Sequence, residues 1–165
     1  MKNPLRVDEM INPHVSVDCV VLGFDGEHLK VLLVKQTGHE ESGYYNNMKL
    51  PGSLIYNDED LDEAAQRVLY ELTGLNELHL IQFRAFGSKN RTNNPKDTKW
   101  LERFHQLNQK VERIVTITYL TMVKIDKKLT HLSDRYEACW TDIDALCPLA
   151  FDHNQIIGEA LWFVR

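Results

Sequence analysis

The sequence predicts a single α/β domain. Three observations carry that reading: valine-rich runs of strand length, one amphipathic helix with both of its ends marked, and enough apolar residues for one core. At 165 residues and 43% apolar side chains, the chain has the size and composition of one ordinary domain, which excludes disorder and a small disulfide scaffold. Twenty-four acidic against 19 basic residues give a net charge of -5, so the global basic field of a free-standing nucleic-acid binder is absent. Cys19, Cys139 and Cys147 are odd in number and have no CxxC spacing. They read as reduced core thiols, with neither a zinc site nor a disulfide frame. No apolar run approaches the ~20 residues that span a bilayer, and the polar start MKNPLRVDEM has no signal-peptide core. The expectation is a soluble, cytoplasmic protein.

Taken in chain order, residues 1–14 form a polar lead carrying Pro4 and Pro13. VSVDCVVLGF (15–24) is a buried strand because β-favouring residues dominate it. Asp25-Gly26 supplies a hairpin turn into a second strand, HLKVLLVKQ (28–36). Residues 37–47 are rich in Gly, Ser, Glu and Asn and predict a surface loop. Over 60–73, Leu61, Ala64, Ala65, Val68, Leu69 and Leu72 recur at helical spacing, after a cap region at Asn57/Asp58 and before Gly74, which can adopt the left-handed conformation that ends a helix. Residues 79–86 and 113–125 are further strands, the second alternating Val115, Ile117, Tyr119, Thr121 and Val123 on one face. Between them lies a polar insert, 88–112. In it Trp100, Leu101, Phe104 and Leu107 predict a short amphipathic helix over 97–109. Residues 136–141 are a late strand. Asp152-x-x-Gln155 resembles a capping box before a last helix with the stripe Ile156, Ile157, Ala160, Leu161 and Val164. No Gly or Pro closes that helix, which predicts a longer parent protein.

The most specific stretch is Leu50-Pro-Gly-Ser53, then Glu59, Arg67, Glu71 and Gly74-Leu75. It resembles the signature of the Nudix family: Gly, five residues, Glu, seven residues, then Arg-Glu-apolar-x-Glu-Glu-x-Gly-apolar. With the register started at Ser53 the spacing matches throughout. The resemblance implies an α/β Nudix fold, a mixed sheet sandwiched between helices, over residues 15–150. The departures matter more than the matches: Ser53 stands at the Gly position, Val68 at the Glu after Arg, and Leu72 at the second paired Glu. In Nudix hydrolases those carboxylates hold divalent cations, magnesium needs a nearly complete set of oxygen ligands, and valine and leucine supply none. The resemblance therefore implies no catalytic residues, no metal site, no required cofactor and no hydrolase activity. Glu59, Glu63, Arg67 and Glu71 also fall at successive i, i+4 positions, the pattern of an exposed salt-bridge ladder. Glu63 is read as part of such a ladder; Arg67 and Glu71 are read as scaffold of the loop-helix motif.

An inactive domain of this kind resembles the Nudix-related bacterial transcriptional regulators of NAD metabolism, in which a Nudix-like domain binds ADP-ribose and a following winged-helix domain binds DNA as a dimer. VDCVVLGF, RVLYELTGL, FRAFG, Arg91, RIVTITYL and LAFDH (149–153) carry the likeness. The family's link between the Phe-Gly turn and the Arg-Val strand is expanded here over 93–110. Residues 151–165 would then begin the helix leading to a winged-helix domain beyond this chain. A pyrophosphate calls for guanidinium or ammonium groups, and adenine for an apolar or aromatic wall. The expected effector site is Lys49, Gly52 and Ser53 at the signature loop, with Arg84, Phe86, Arg91 and Arg113 near strand ends. Phe86, Tyr56 and Trp100 are candidate adenine neighbours that read more readily as packing residues. His153, beside Asp152 at a helix start, reads as a capping or junction residue and not as a catalytic or metal group. Lys89, Lys96, Lys99, Arg103 and Lys110, interspersed with Asp97 and Glu102, read as a solvated face.

The expected function is effector sensing by a homodimeric repressor of NAD metabolism that binds ADP-ribose without hydrolysis and contacts DNA through a C-terminal domain, with no membrane partner. Three alternatives stand beside it. The first is an active ADP-ribose pyrophosphatase that recruits Glu59, Glu63 and Glu71. The second is an arabinose-type sugar sensor, favoured by a pocket without convergent arginines. The third is an interaction scaffold, favoured by a flat surface.

Overall fold

The computed structural model describes residues 11–40, 43–104 and 112–165. The strands are β1 (Ile11–Phe24), β2 (Leu29–Glu40), β3 (Gly43–Lys49), β4 (Gly52–Tyr56), β5 (Ile81–Phe86), β6 (Val115–Lys124) and β7 (Cys139–Asp142); the helices are α1 (Leu61–Thr73), α2 (Pro95–Phe104) and α3 (His153–Phe163). The valine-rich β1 is central. β6 runs parallel to it from Val15↔Val115 to Phe24↔Lys124. Its other edge is shared: β4 pairs antiparallel with the first half, up to Asp18↔Gly52, and β2 with the last turn of pairing, from Leu22↔Val31. Between those two partners the Cys19 N–H donates to the Pro51 carbonyl at 2.8 Å, so the exchange of neighbours leaves no orphaned donor there. β3 and β7 extend the sheet beyond β2, and β5 beyond β6.

Strand alternation sends successive β1 side chains to opposite faces. Val17, Cys19 and Val21 meet Ala64, Ala65, Val68, Leu69 and Leu72 of α1. Val20 and Leu22 meet Ile156, Ile157 and Ala160 of α3. The same period directs Ser16 and Asp18, polar residues in an apolar run, toward the α3 face. α2 closes one end, where Trp100 and Leu101 pack with Ile11, Leu54, Tyr56 and Ile114. The architecture is the mixed sheet between helices that the sequence predicts. Among the described residues no helix is long and apolar enough to cross a membrane.

Several boundaries differ from expectation. Of residues 37–47, expected as a loop, 37–40 continue β2 and 43–47 belong to β3, in an antiparallel ladder from Val34↔Lys49 to Glu40↔Gly43, and 41–42 lie outside the described residues; backbone pairing there prevails over a composition that favours turns. β1 starts at Ile11, inside the expected lead, and passes Pro13 through an irregular register between Ile11 and Ser16. β4 was not expected, because its five residues lie inside the signature loop. α1 is capped by Asp60, not Asn57/Asp58: the Asp60 N–H donates to Glu63 Oε1 at 2.9 Å, so Glu63 closes the cap instead of joining a ladder. Gly74, at φ +83°, ends α1 as expected, donating to Tyr70 O at 2.9 Å. The strands expected at 79–86, 113–125 and 136–141 are Ile81–Phe86, Val115–Lys124 and Cys139–Asp142. α2 begins two residues before the expected 97–109 helix, and 105–109, like Lys110 and residues 1–10, lie outside the described residues. Only Cys19 is a fully buried thiol; Cys139 is half-buried and Cys147 exposed, and all three are free.

Candidate functional site

A small, partly open cavity lies on the α3 face where β1, β4, α2 and the start of α3 converge. Its polar wall is Ser16, Asp18, Lys49 and Ser53; its apolar wall is Leu101, Ile114 and Phe151. Asp18 is 5% exposed, and its Oδ2 accepts from the Thr116 hydroxyl at 2.6 Å. Its Oδ1 lies 3.5 Å from His153 Nε2. His153 Nδ1 accepts the Leu50 N–H at 2.9 Å, which leaves the proton of the neutral ring on Nε2, facing Asp18. Burial pushes the His153 pKa down, with Asp18 pulling the other way, so the ring is neutral at pH 7. Lys49 is 3% exposed, donates to the Gly52 carbonyl at 2.7 Å and sits 5.1 Å above the Trp100 ring. Burial lowers its pKa to about 8 against the opposing pull of Asp18 and Asp97.

Gly52 makes room for this arrangement. It pairs with Asp18 across β1 and β4, and a Cβ there would collide with Asp18 Oδ1 and stand 2.8 Å from Val17 O. Gly52→Ala is expected to cost about 2–3 kcal/mol, in the range for overpacking a filled site. Chemical denaturation measures this, and an unchanged midpoint would refute the close fit.

Arg91, with a side chain 3% exposed, forks onto Asp152: Nε donates to Oδ2 at 3.0 Å and Nη2 to Oδ1 at 2.8 Å, while Nη1 donates to Ile114 O at 2.7 Å. Asp152 therefore does not cap α3 through its side chain as the Asp152-x-x-Gln155 pattern suggests; Arg91 takes its carboxylate instead. Asp97 of α2 is also diverted from its expected role. It is 2% exposed, not on a solvated face, and accepts from Gln36 Nε2 at 3.0 Å and from the Phe151 N–H at 2.9 Å. Phe151 holds φ +54°, a left-handed conformation that costs a non-glycine residue energy. Asp97 and the Arg91–Asp152 fork together fix the backbone that enters α3.

Of the residues expected at the effector site, Lys49, Gly52, Ser53 and Arg91 line this cavity. Arg84, Phe86 and Arg113 do not. Arg84 is exposed, pairs with Glu159 at 2.7 Å and lies 5.0 Å from the Phe86 ring, while Phe86 is buried in the α3-side core. Arg113 precedes β6 on the surface. Sequence reasoning missed Ser16, Asp18, Leu101, Ile114 and Phe151, and treated His153 as a junction residue only. An aspartate inside VSVDCVVLGF was the available signal, since a charged residue within a buried strand needs partners. Tyr56 and Trp100 pack in the α2 cluster, as preferred over an adenine role. Lys89, Lys99 and Arg103 are exposed, and Lys96 bonds Asn47 Oδ1 at 3.4 Å.

The signature helix presents a different arrangement on the opposite face. Arg67 stacks 4.0 Å from the Tyr56 ring, donates to Glu59 Oε1 at 2.7 Å and Oε2 at 2.8 Å, and reaches Glu71 at 3.0 Å. Glu59 also accepts the Tyr56 N–H at 2.9 Å. Val68 and Leu72 are 1% and 4% exposed inside the α1-side core. The side chains at the two substituted carboxylate positions of the signature thus fill space with hydrocarbon, and the two retained carboxylates are engaged by one guanidinium. Among the described residues no three His, Cys, Asp or Glu side chains come together as a metal-ligand set. The residues present do not fit a magnesium ion.

A family model for the NUDIX domain matches residues 12–161. The ADPR responsive transcriptional repressor NtrR of Acinetobacter baylyi is 23% identical over 153 residues, which cover 90% of this chain and 53% of that protein. The chain thus spans about half the length of this curated relative. Among solved structures, the NUDIX domain of Shewanella oneidensis NrtR in a cocrystal with ADP ribose superposes with a TM-score of 0.67 at 24% identity, covering 92% of this chain and 88% of that one. A bifunctional NMN adenylyltransferase/ADP ribose pyrophosphatase of Francisella tularensis, complexed with AMP and a manganese ion, superposes with a TM-score of 0.61 at 19% identity over 94% of this chain and 43% of that one.

Proposed function

The chain belongs to the NUDIX-domain family, and from that premise we propose that it is the effector-sensing domain of a homodimeric transcriptional repressor of NAD metabolism, binding ADP-ribose without hydrolysing it. The observation that carries the reading is the burial of Val68 and Leu72 in the core at the two substituted carboxylate positions of the signature. The likeness to an ADPR-responsive repressor supports this choice of ligand and regulatory role. DNA contact falls to a C-terminal winged-helix domain, in keeping with the net charge of -5. The mechanism is linkage: the effector shifts the DNA-bound equilibrium only as far as it prefers one dimer arrangement, and DNA weakens effector binding by the same factor. Within the proposed site, Lys49, Gly52, Ser53 and Arg91 line the cavity, while Arg84, Phe86 and Arg113 belong to an outer surface.

Calorimetric titration with ADP-ribose, with and without magnesium, followed by chromatography of the recovered ligand, tests this. Saturable binding with intact ligand is expected in both conditions. A second reading, an ADP-ribose pyrophosphatase with a rebuilt site, draws on the Francisella likeness; magnesium-dependent AMP and ribose phosphate would replace the sensor with it. Absence of any heat would reject ADP-ribose as the effector.

A further inference from the structure

We propose that the cavity at Asp18 and Lys49 receives the vicinal diol of a pentose, and that the phosphates of any nucleotide carrying that pentose stay outside it. The proposal rests on the effector reading and specifies which part of the ligand this cavity takes.

Charge is the first argument. A pyrophosphate brings two negative charges and calls for cations that are not already matched. The two cations on this wall are already engaged: Arg91 by its fork onto Asp152, and Lys49 by its 2.7 Å bond to the Gly52 carbonyl, with the carboxylates of Asp18 and Asp97 opposing the effect of its burial. His153 is neutral. Bringing phosphate oxygens beside the buried Asp18 carboxylate would set like charges together in a poorly solvated place. Neither Arg84 nor Arg113 lines the cavity to offset that.

Hydrogen-bond chemistry is the second. A sugar diol presents adjacent hydroxyls, each both donor and acceptor. A carboxylate beside an ammonium meets such a pair: one hydroxyl donates to Asp18 while its neighbour accepts from Lys49. The Asp18 carboxylate uses one oxygen for Thr116 and has the His153 Nε2–H at 3.5 Å from the other, so acceptor capacity remains. Lys49 spends one N–H on Gly52 O and keeps two. Thr116 and the Gly52 gap hold the carboxylate in place, which is the orientation a diol site needs.

Shape is the third. Leu101, Ile114 and Phe151 offer an apolar wall to the C–H face of a sugar ring. The cavity is small and partly open, so it takes the hydroxyl edge of one sugar and leaves the rest of a dinucleotide-sized ligand outside.

The diol can come from a free pentose or from the ribose of a nucleotide, and the test separates them. The intact protein is titrated with ribose 5-phosphate, 2-deoxyribose 5-phosphate, L-arabinose, inorganic pyrophosphate and ADP-ribose, and the last three are repeated on Asp18→Asn. A diol site predicts at least tenfold weaker binding of the 2-deoxy sugar by the unaltered protein, a comparison that needs no variant to fold. It also predicts that Asp18→Asn, with its melting transition checked, weakens the diol ligands by about 10–100-fold, the loss of hydrogen bonds to a charged group, and leaves pyrophosphate unimproved. The sign decides the matter, because an anion site predicts the reverse: removing the carboxylate would tighten ADP-ribose and pyrophosphate. That result, or equal binding of the deoxy sugar, overturns the proposal. Arabinose binding with no ADP-ribose binding would retain the diol site and overturn the nucleotide effector. Failure of every sugar-bearing ligand to bind overturns both.

Discussion

Restoring both signature carboxylates, with Val68→Glu and Leu72→Glu together, is expected to unfold the domain and not to create a hydrolase. Val68 and Leu72 project from the same α1 face into a cluster with Cys19, Leu69, Leu75 and Tyr119. The dryness of that cluster is visible in Cys19, whose thiol pKa is pushed far up by burial, and whose Sγ lies 3.7 Å from the Ala65 carbonyl. A carboxylate there ionises only at a heavy cost or remains protonated. Burial raises a fully enclosed Glu by up to about 3–5 pKa units, so it takes up a proton at neutral pH, a penalty of roughly 3.5 kcal/mol for each residue. Two such terms, with the lost Val and Leu packing and the burial of two carboxyl groups added, are comparable with the whole stability of an ordinary domain, about 5–15 kcal/mol. The double variant is expected to lose its cooperative urea transition, and each single variant to shift it by several kcal/mol. A folded double variant that cleaves ADP-ribose with magnesium would show that both positions open onto a metal site, and would sink the sensor reading.

The same two positions show how much function was legible beforehand. Spacing alone aligned Ser53, Glu59, Arg67, Glu71 and Gly74 with the signature, and helical periodicity placed Val68 and Leu72 on the buried stripe of α1. Local patterns report which face a residue occupies, so the helices, the strand faces and the Gly74 stop were readable. The cavity was not, because its walls come from β1, β4, α2 and the turn into α3, which only the fold assembles. Asp18 sits 135 residues before His153 (153 − 18), yet they approach to 3.5 Å. Arginines near strand ends looked equivalent in sequence, but Arg91 turns inward to Asp152 while Arg84 turns outward to Glu159. Residues 37–40 and 43–47 differ from the loop expected there for a related reason: turn-forming composition is a local preference, and the pairing of β2 with β3 is not.

Arg91→Ala is expected to be the most damaging single truncation on the cavity wall. It removes both arms of the fork to Asp152 and the bond to Ile114 O, and leaves a carboxylate with 16% side-chain exposure deprived of its counter-ion. Breaking a buried pair from one side costs about 3–5 kcal/mol, most of it the penalty of the stranded charge. The damage should be local as well as global. Asp152 lies between Phe151, held at φ +54° by Asp97, and His153, which receives the Leu50 N–H. Releasing Asp152 frees a strained backbone to relax, and amide exchange should quicken first at Phe151, Asp152 and the opening turn of α3 before it does in α1. Ligand affinity should fall with it, since Phe151 and His153 are cavity walls. Arg91→Ala with Asp152→Ala should recover about half or more of the lost stability, because the stranded charge is gone, whereas a fork that merely decorates the surface would make the two losses additive. Arg91→Lys separates charge from geometry: it keeps the cation, loses the two-point grip, and is expected to fall between the alanine variant and the unaltered protein. If Arg91→Ala unfolds at the same urea concentration as the unaltered protein, the fork does not hold α3, and its entry is fixed by Asp97 and by the bond from the Leu50 N–H to His153.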